Sequence, residues 1–150
     1  MNKTSTSDLR DIGLKVTGPR LKILEFFHQN PGAHFSADDV YLAMSNDGME
    51  IGLATVYRVL TQFEQAGILL RSHFESGKAD GRAIFELNEG VHHDHLVCLD
   101  CGHVEEFVDA AIETRQREIA TNLGFKLQEH ALAMYGTCSK KNCKNKKKQL

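Results

Sequence analysis

Leu21, Leu24 and Phe27 recur at three-residue steps behind Thr17-Gly18-Pro19-Arg20. Thr17 can cap a helix and Pro19 suits its first turn, so the spacing predicts a helix that Asn30-Pro31-Gly32 ends. Ser36-x-x-Asp39 then resembles a capping box, and Ala37, Val40, Tyr41 and Met44 form the apolar stripe of a second helix. After the Asn46-Asp47-Gly48 turn, Leu53, Val56, Leu60 and Phe63 step by three, four and three, which predicts a third helix over about 53–66. Its opposite face carries Thr55, Arg58 and Gln62, with Tyr57 on the flank.

Beyond Gly67 the period changes. Residues 68–74 and 83–87 are predicted as strands around a charged, glycine-containing tip. Three helices and a hairpin outline a winged helix-turn-helix, in which the last helix enters the major groove of DNA. Further along, 95–99 and 103–107 are predicted as strands, 109–122 as a helix with Ala111, Ile112, Arg115 and Ile119 on one face, and 125–136 as a last strand. The expected class is therefore α+β: an N-terminal winged helix-turn-helix domain over 1–87, a hinge at 88–91 and a C-terminal α/β domain over 92–143. A disordered, lysine-rich tail would occupy 144–150. So small a second unit has little core of its own, and metal or a second copy would supplement it.

Charge changes the picture, because a net −2 conceals an uneven distribution. Residues 1–22 hold +3 and residues 140–148 hold +6, so the remainder holds −11. A DNA binder needs a local basic patch, which this layout permits. The lysine run is equally compatible with a solvated chain end. Apolar residues at 41% indicate a globular chain, and no run is long enough to span a bilayer. The N-terminus lacks a signal-type apolar segment, which points to the cytoplasm.

The cysteines come as Cys98-x2-Cys101 and Cys138-x4-Cys143. In a cytosolic chain such spacings favour zinc over disulfides, and four thiolates close a structural site with no open position. Two redox pairs, or four unrelated buried thiols, are the alternative reading. Immediately upstream stands His92-His93-Asp94-His95. On an extended backbone His92 and Asp94 face one way and His93 and His95 the other, so one strand could serve two metal ions. A solvated histidine cluster is the plainer alternative.

GLKVTGPRLKIL, EIGLATVYRVLTQFEQAGI, HHDHLVCLDCG and the C-x4-C end together resemble the ferric uptake regulator family over residues 10–143. The resemblance implies a dimeric, metal-dependent repressor of iron-uptake genes. It would bind an AT-rich inverted repeat in double-stranded DNA, with tetramer formation left open. It implies a regulatory Fe²⁺ site of His34, Glu86, His93, His95 and Glu106, which Mn²⁺, Co²⁺ or Zn²⁺ could occupy in vitro. A second site maps to His92, Asp94, Glu113 and His130, and structural Zn²⁺ to Cys98, Cys101, Cys138 and Cys143. Lys15 matches a minor-groove contact, and Tyr57 and Arg58 match recognition-helix contacts. Thr55 is added from helical geometry. Zinc-sensing and peroxide-sensing branches are the nearest alternatives. Glutamate at both 86 and 106 favours iron, and no cysteine is left over for the regulatory site of a zinc sensor. A zinc hydrolase is the remote alternative, since HHDH lacks the spacing and companion motifs of such enzymes.

Overall fold

The computed structural model of the chain describes residues 5–74 and 82–138. The wing tip, Cys143 and the lysine-rich tail lie outside the described residues. The chain divides into two units at Gly90–Val91.

The first unit opens with helix α1 (Ser5–Asp11), followed by α2 (Gly18–Gln29), strand β1 (Phe35–Ser36), α3 (Ala37–Asn46), α4 (Leu53–Gln65), β2 (Leu69–His73) and β3 (Ala83–Leu87). Local chemistry starts the helices where the sequence predicts. The Thr17 hydroxyl accepts from the Arg20 N–H, and Pro19 occupies the first turn of α2. At α3 the capping box is complete: Ser36 Oγ accepts from Asp39 N at 3.2 Å, and Asp39 Oδ2 accepts from Ser36 N at 2.9 Å. α4 has Gly52 at its N-cap and no side-chain cap, so it depends on tertiary packing. β1, β3 and β2 form one antiparallel sheet, in which Phe35 pairs with Phe85 and Leu69 with Leu87. Ile23, Leu24, Phe27, Val40, Val56, Leu60, Phe63, Leu69 and Phe85 bury against one another as a continuous core.

Two expectations change here. Leu53 is 37% exposed, and Val59, only 4% exposed, takes its place in the buried stripe of α4. Leu53 opens the helix, where no preceding turn covers it, whereas Val59 lies between Val56 and Phe63. The helix α1 was not expected. It is seven residues long with a single strongly apolar position, Leu9, which is fully buried in the core. Tertiary contact, rather than local propensity, holds so short a helix.

The second unit contains β4 (Asp94–Cys98), β5 (Val104–Phe107), α5 (Ala110–Asn122) and β6 (Ala133–Gly136). β4 is central, antiparallel to β5 and parallel to β6. The expected strand over 125–136 shortens to 133–136 because its ladder partner starts at Asp94; His95 pairs with Ala133. Asp109 caps α5, its carboxylate accepting from Ala111 N at 2.9 Å and Ile112 N at 3.1 Å. The apolar face expected on α5 exists but buries nothing within one copy of the chain: Ile119 is 45% exposed and no residue of the helix is buried.

Candidate metal centres and nucleic-acid interface

β4 is the element that organises the donors. His92 and Asp94 meet on one face, with His92 Nε2 3.2 Å from Asp94 Oδ1. The rings of His93 and His95 meet edge-to-face on the other, with centroids 4.9 Å apart. This is the side-chain alternation of an extended chain.

The first face is completed from two other elements of the same unit. Glu113 comes from the first turn of α5, and His130 from the segment leading into β6. Nε2 of His92 lies 2.8 Å from Nε2 of His130 and 3.4 Å from Glu113 Oε1. Nε2 of His130 lies 3.3 Å from both Asp94 Oδ1 and Glu113 Oε1. A metal with bonds of about 2.0–2.1 Å separates tetrahedral ligands by ~3.3 Å, so these spacings fit one ion. Asp94 is fully buried, yet neither of its oxygens has a hydrogen-bond partner. A buried carboxylate left so is costly, and a bound cation would supply the missing compensation. The two imidazoles and two carboxylates suit Zn²⁺, Mn²⁺, Fe²⁺ or Co²⁺.

On the second face, His93 Nε2 lies 3.4 Å from Glu106 Oε1, and Glu106 pairs with His95 across the ladder to β5. Val91 O lies 3.3 Å from His93 Nδ1, leaving Nε2 as the nitrogen directed at the carboxylate. His34 and Glu86 belong to the first unit. They contact each other directly, and both side chains are almost wholly buried.

A knuckle closes the end of β4. Gly102 N donates to Cys98 O at 2.8 Å, Cys98 N donates to His103 O at 2.9 Å, and Gly102 takes φ 75°, a conformation open to glycine. Cys98 pairs with Gly136, so β6 delivers Cys138 two residues further on. Cys98, Cys101 and Cys138 form no disulfide. Desolvation raises the Cys98 thiol pKa. Backbone donors at Cys101, Asp100 and Cys138, with the Cys101 side chain, outweigh it and lower the pKa from 9.0 to about 7. Such donors stabilise a thiolate, the form that binds metal.

In the first unit, Tyr57 and Arg58 stand exposed on α4 and Thr55 is half-buried beside them. Lys15 is exposed on the loop between α1 and α2. Gln62 is not a free member of the α4 polar face, because its Oε1 accepts twice from Arg20. Nothing in the sequence signals that contact between residues 42 positions apart.

The sequence model of the ferric uptake regulator family matches residues 11–135. The chain belongs to the ferric uptake regulator family. It is 66% identical over 139 residues to the ferric uptake regulation protein of Cupriavidus metallidurans, covering 93% of this chain and 94% of that protein. The crystal structure of the Vibrio cholerae ferric uptake regulator superposes with a TM-score of 0.79 at 54% identity, covering 89% of this chain and 98% of that one. The ferric uptake regulator of Francisella tularensis, solved with iron, gives 0.78 at 40% identity, with 85% and 93% covered. In this family member, no helix among the described residues is long and apolar enough to cross a membrane.

Proposed function

We propose that this family member is a cytoplasmic, metal-dependent repressor that senses Fe²⁺ and controls iron-uptake genes through an AT-rich inverted-repeat operator. The observation that carries the reading is the segment 92–95 at the start of β4, which supplies imidazoles to two faces, each meeting a carboxylate from another element: Glu113 beside His92 and Glu106 beside His93. Family membership supplies the link from those donors to DNA. In this reading His34 and Glu86 of the first unit and His93, His95 and Glu106 of the second hold one regulatory ion. His92, Asp94, Glu113 and His130 hold a second, and Cys98, Cys101, Cys138 and Cys143 hold structural Zn²⁺. The regulatory metal supplies differential affinity: it stabilises whichever arrangement of the two units presents all of its ligands. The chain's own residues do the reading of DNA, with Tyr57 and Arg58 in the major groove, Lys15 in the minor groove and Thr55 beside them.

Homodimerisation is part of the proposal. Val108, Leu123 and Phe125 are 59%, 70% and 71% exposed, an apolar surface that a second copy would cover. The role is regulatory rather than enzymatic.

The deciding experiment titrates operator binding with Fe²⁺ under anaerobic conditions, Mn²⁺ and Zn²⁺ separately, with the cysteine-bound zinc retained. Specific binding switched on by Fe²⁺ or Mn²⁺ is expected. His93→Ala is expected to abolish the switch and to leave the fold and structural zinc intact. Unaltered metal-activated affinity in that variant would refute the regulatory assignment, and activation by Zn²⁺ alone would move the protein to a zinc-sensing role.

A further inference from the structure

One side chain ties together the two elements that carry the proposed DNA contacts. Arg20, in the first turn of α2, donates from Nε and Nη2 to Gln62 Oε1 of α4 at 3.2 and 2.9 Å. Its Nη1 donates to the backbone carbonyl of Lys15 at 2.8 Å. The same guanidinium therefore grips the loop bearing Lys15 and the helix bearing Tyr57 and Arg58. That loop has no ladder or helix of its own over residues 12–17. Upstream of Lys15, Gly13 N donates to Arg10 O and Leu14 N to Leu9 O; downstream of it, Thr17 O accepts from Leu21 N and Thr17 Oγ1 from Arg20 N. Between those anchors, Arg20 Nη1 holds the Lys15 carbonyl itself.

We propose that Arg20 is a positioning residue for DNA recognition. It sets the separation between Lys15 and the Tyr57/Arg58 face, so that the two groups engage their grooves together. This rests on the DNA-binding reading above. The chemistry requires arginine. Its planar fork presents donors in fixed directions to two acceptors at once, whereas a lysine ammonium keeps the charge and loses the geometry. Without the clamp, the Lys15 backbone must be ordered at the moment of binding, and that ordering weakens affinity.

The test is a double-mutant cycle on the full-length, metal-loaded protein. Wild type, Arg20→Lys, Lys15→Ala and the double variant are titrated onto operator DNA at several salt concentrations. Arg20→Lys is expected to weaken operator binding about tenfold beside Lys15 and less than about twofold in the Lys15→Ala background, because coupled residues are not additive. The salt slope should hold in Arg20→Lys and fall by about one in Lys15→Ala, since only the latter removes a charge from the DNA contact. Gln62→Ala removes the acceptor and leaves Arg20 in place, and it should show the same coupling to Lys15. It decides the matter if Arg20→Lys fails to fold, as judged by its thermal midpoint. Additive losses in both cycles overturn the positioning role, leaving Arg20 as a phosphate contact or a fold-stabilising group. A wild type with no metal-dependent operator binding overturns the DNA-binding reading itself, and the positioning role with it.

Discussion

The two units reach order by different routes. In the first, Leu9, Ile23, Leu24, Phe27, Leu60, Phe63 and Phe85 exclude water from one continuous core. In the second, Val97 and Asp94 are the only buried residues among those described, and one of them is a carboxylate. Hydrophobic burial can offset the chain entropy of the first unit. The second has too little of it, a shortfall that bound metal and a second copy would make good. A sensor benefits from that division. The first unit, with its apolar core, would hold its shape when metal leaves His34 and Glu86, while the second, with little core, would depend on metal for its order.

The largest effect follows from removing metal altogether. Structural zinc sites contribute roughly 10–16 kcal/mol of apparent binding free energy, as much as the whole stability of a typical domain. Exhaustive chelation should therefore abolish amide-exchange protection across 94–98 and 133–136 and leave it intact across 53–65. Loss of protection in both units together would break the contrast between them.

Next comes a core deletion in the first unit. Phe27 is fully buried and packs edge-on against Phe26 and Phe35, with ring centroids 5.8 and 5.7 Å away. Phe27→Ala should lower the stability of the first unit by about 3–5 kcal/mol in denaturant titrations. The affinity of the His92/Asp94/Glu113/His130 site for Mn²⁺ or Zn²⁺ should not change. A matching loss of metal affinity would show the units to be one cooperative body.

How much of this was legible in the sequence follows the same division. Caps are local, so Thr17 and Ser36 with Asp39 mark helix starts that the structure keeps, whereas Asp109, expected as the first residue of a helix, proves to be its cap. The 92–95 alternation is also local, and both faces follow from it. α1 and the exchange of Leu53 for Val59 depend on what packs above them, which no short window records. The shortening of the last strand depends on where β4 begins. Neither the period of α5 nor its composition reveals that its apolar residues find no cover within one copy. Glu113 and His130 came from family resemblance, since 17 residues of sequence separate them and only the fold brings them to within 3.3 Å. The Arg20–Gln62 clamp left no trace in the sequence for the same reason.

A subtler test acts on Asp94, the one buried carboxylate among the described residues of the second unit. With zinc kept on the cysteines and the imidazole–carboxylate site stripped, Asp94→Asn should stabilise the second unit by about 1–3 kcal/mol at a pH where His92 and His130 are neutral, because it removes a buried charge whose oxygens accept no hydrogen bond. With saturating Mn²⁺ or Zn²⁺ the order should reverse, since the variant has lost a ligand and with it the mass-action stabilisation. Thermal midpoints of both proteins in both states check the crossover. A variant less stable than wild type in both states would mean that Asp94 is satisfied without metal.

The smallest effects sharpen the comparison most, because two similar caps sit in the two units. Ser36 caps α3 through a reciprocal pair of bonds, and Asp109 caps α5 through two bonds to one carboxylate oxygen. Each cap should contribute about 1 kcal/mol, the usual cost of replacing such a residue by alanine. The conditions under which that cost appears should differ. Ser36→Ala should lower the unfolding free energy of the first unit by a similar amount with and without metal, because α3 packs on an apolar core that persists when metal leaves His34 and Glu86. Asp109→Ala should register only in the metal-loaded protein. Once metal leaves, α5 has no buried side chain to hold it, and a helix already lost cannot be further destabilised by losing its cap. Urea titrations followed by exchange at α3 and α5 amides separate the two cases. A cost for Asp109→Ala that persists after chelation would show that α5 stands without metal, and that the second unit carries more of its own stability than its burial accounts for.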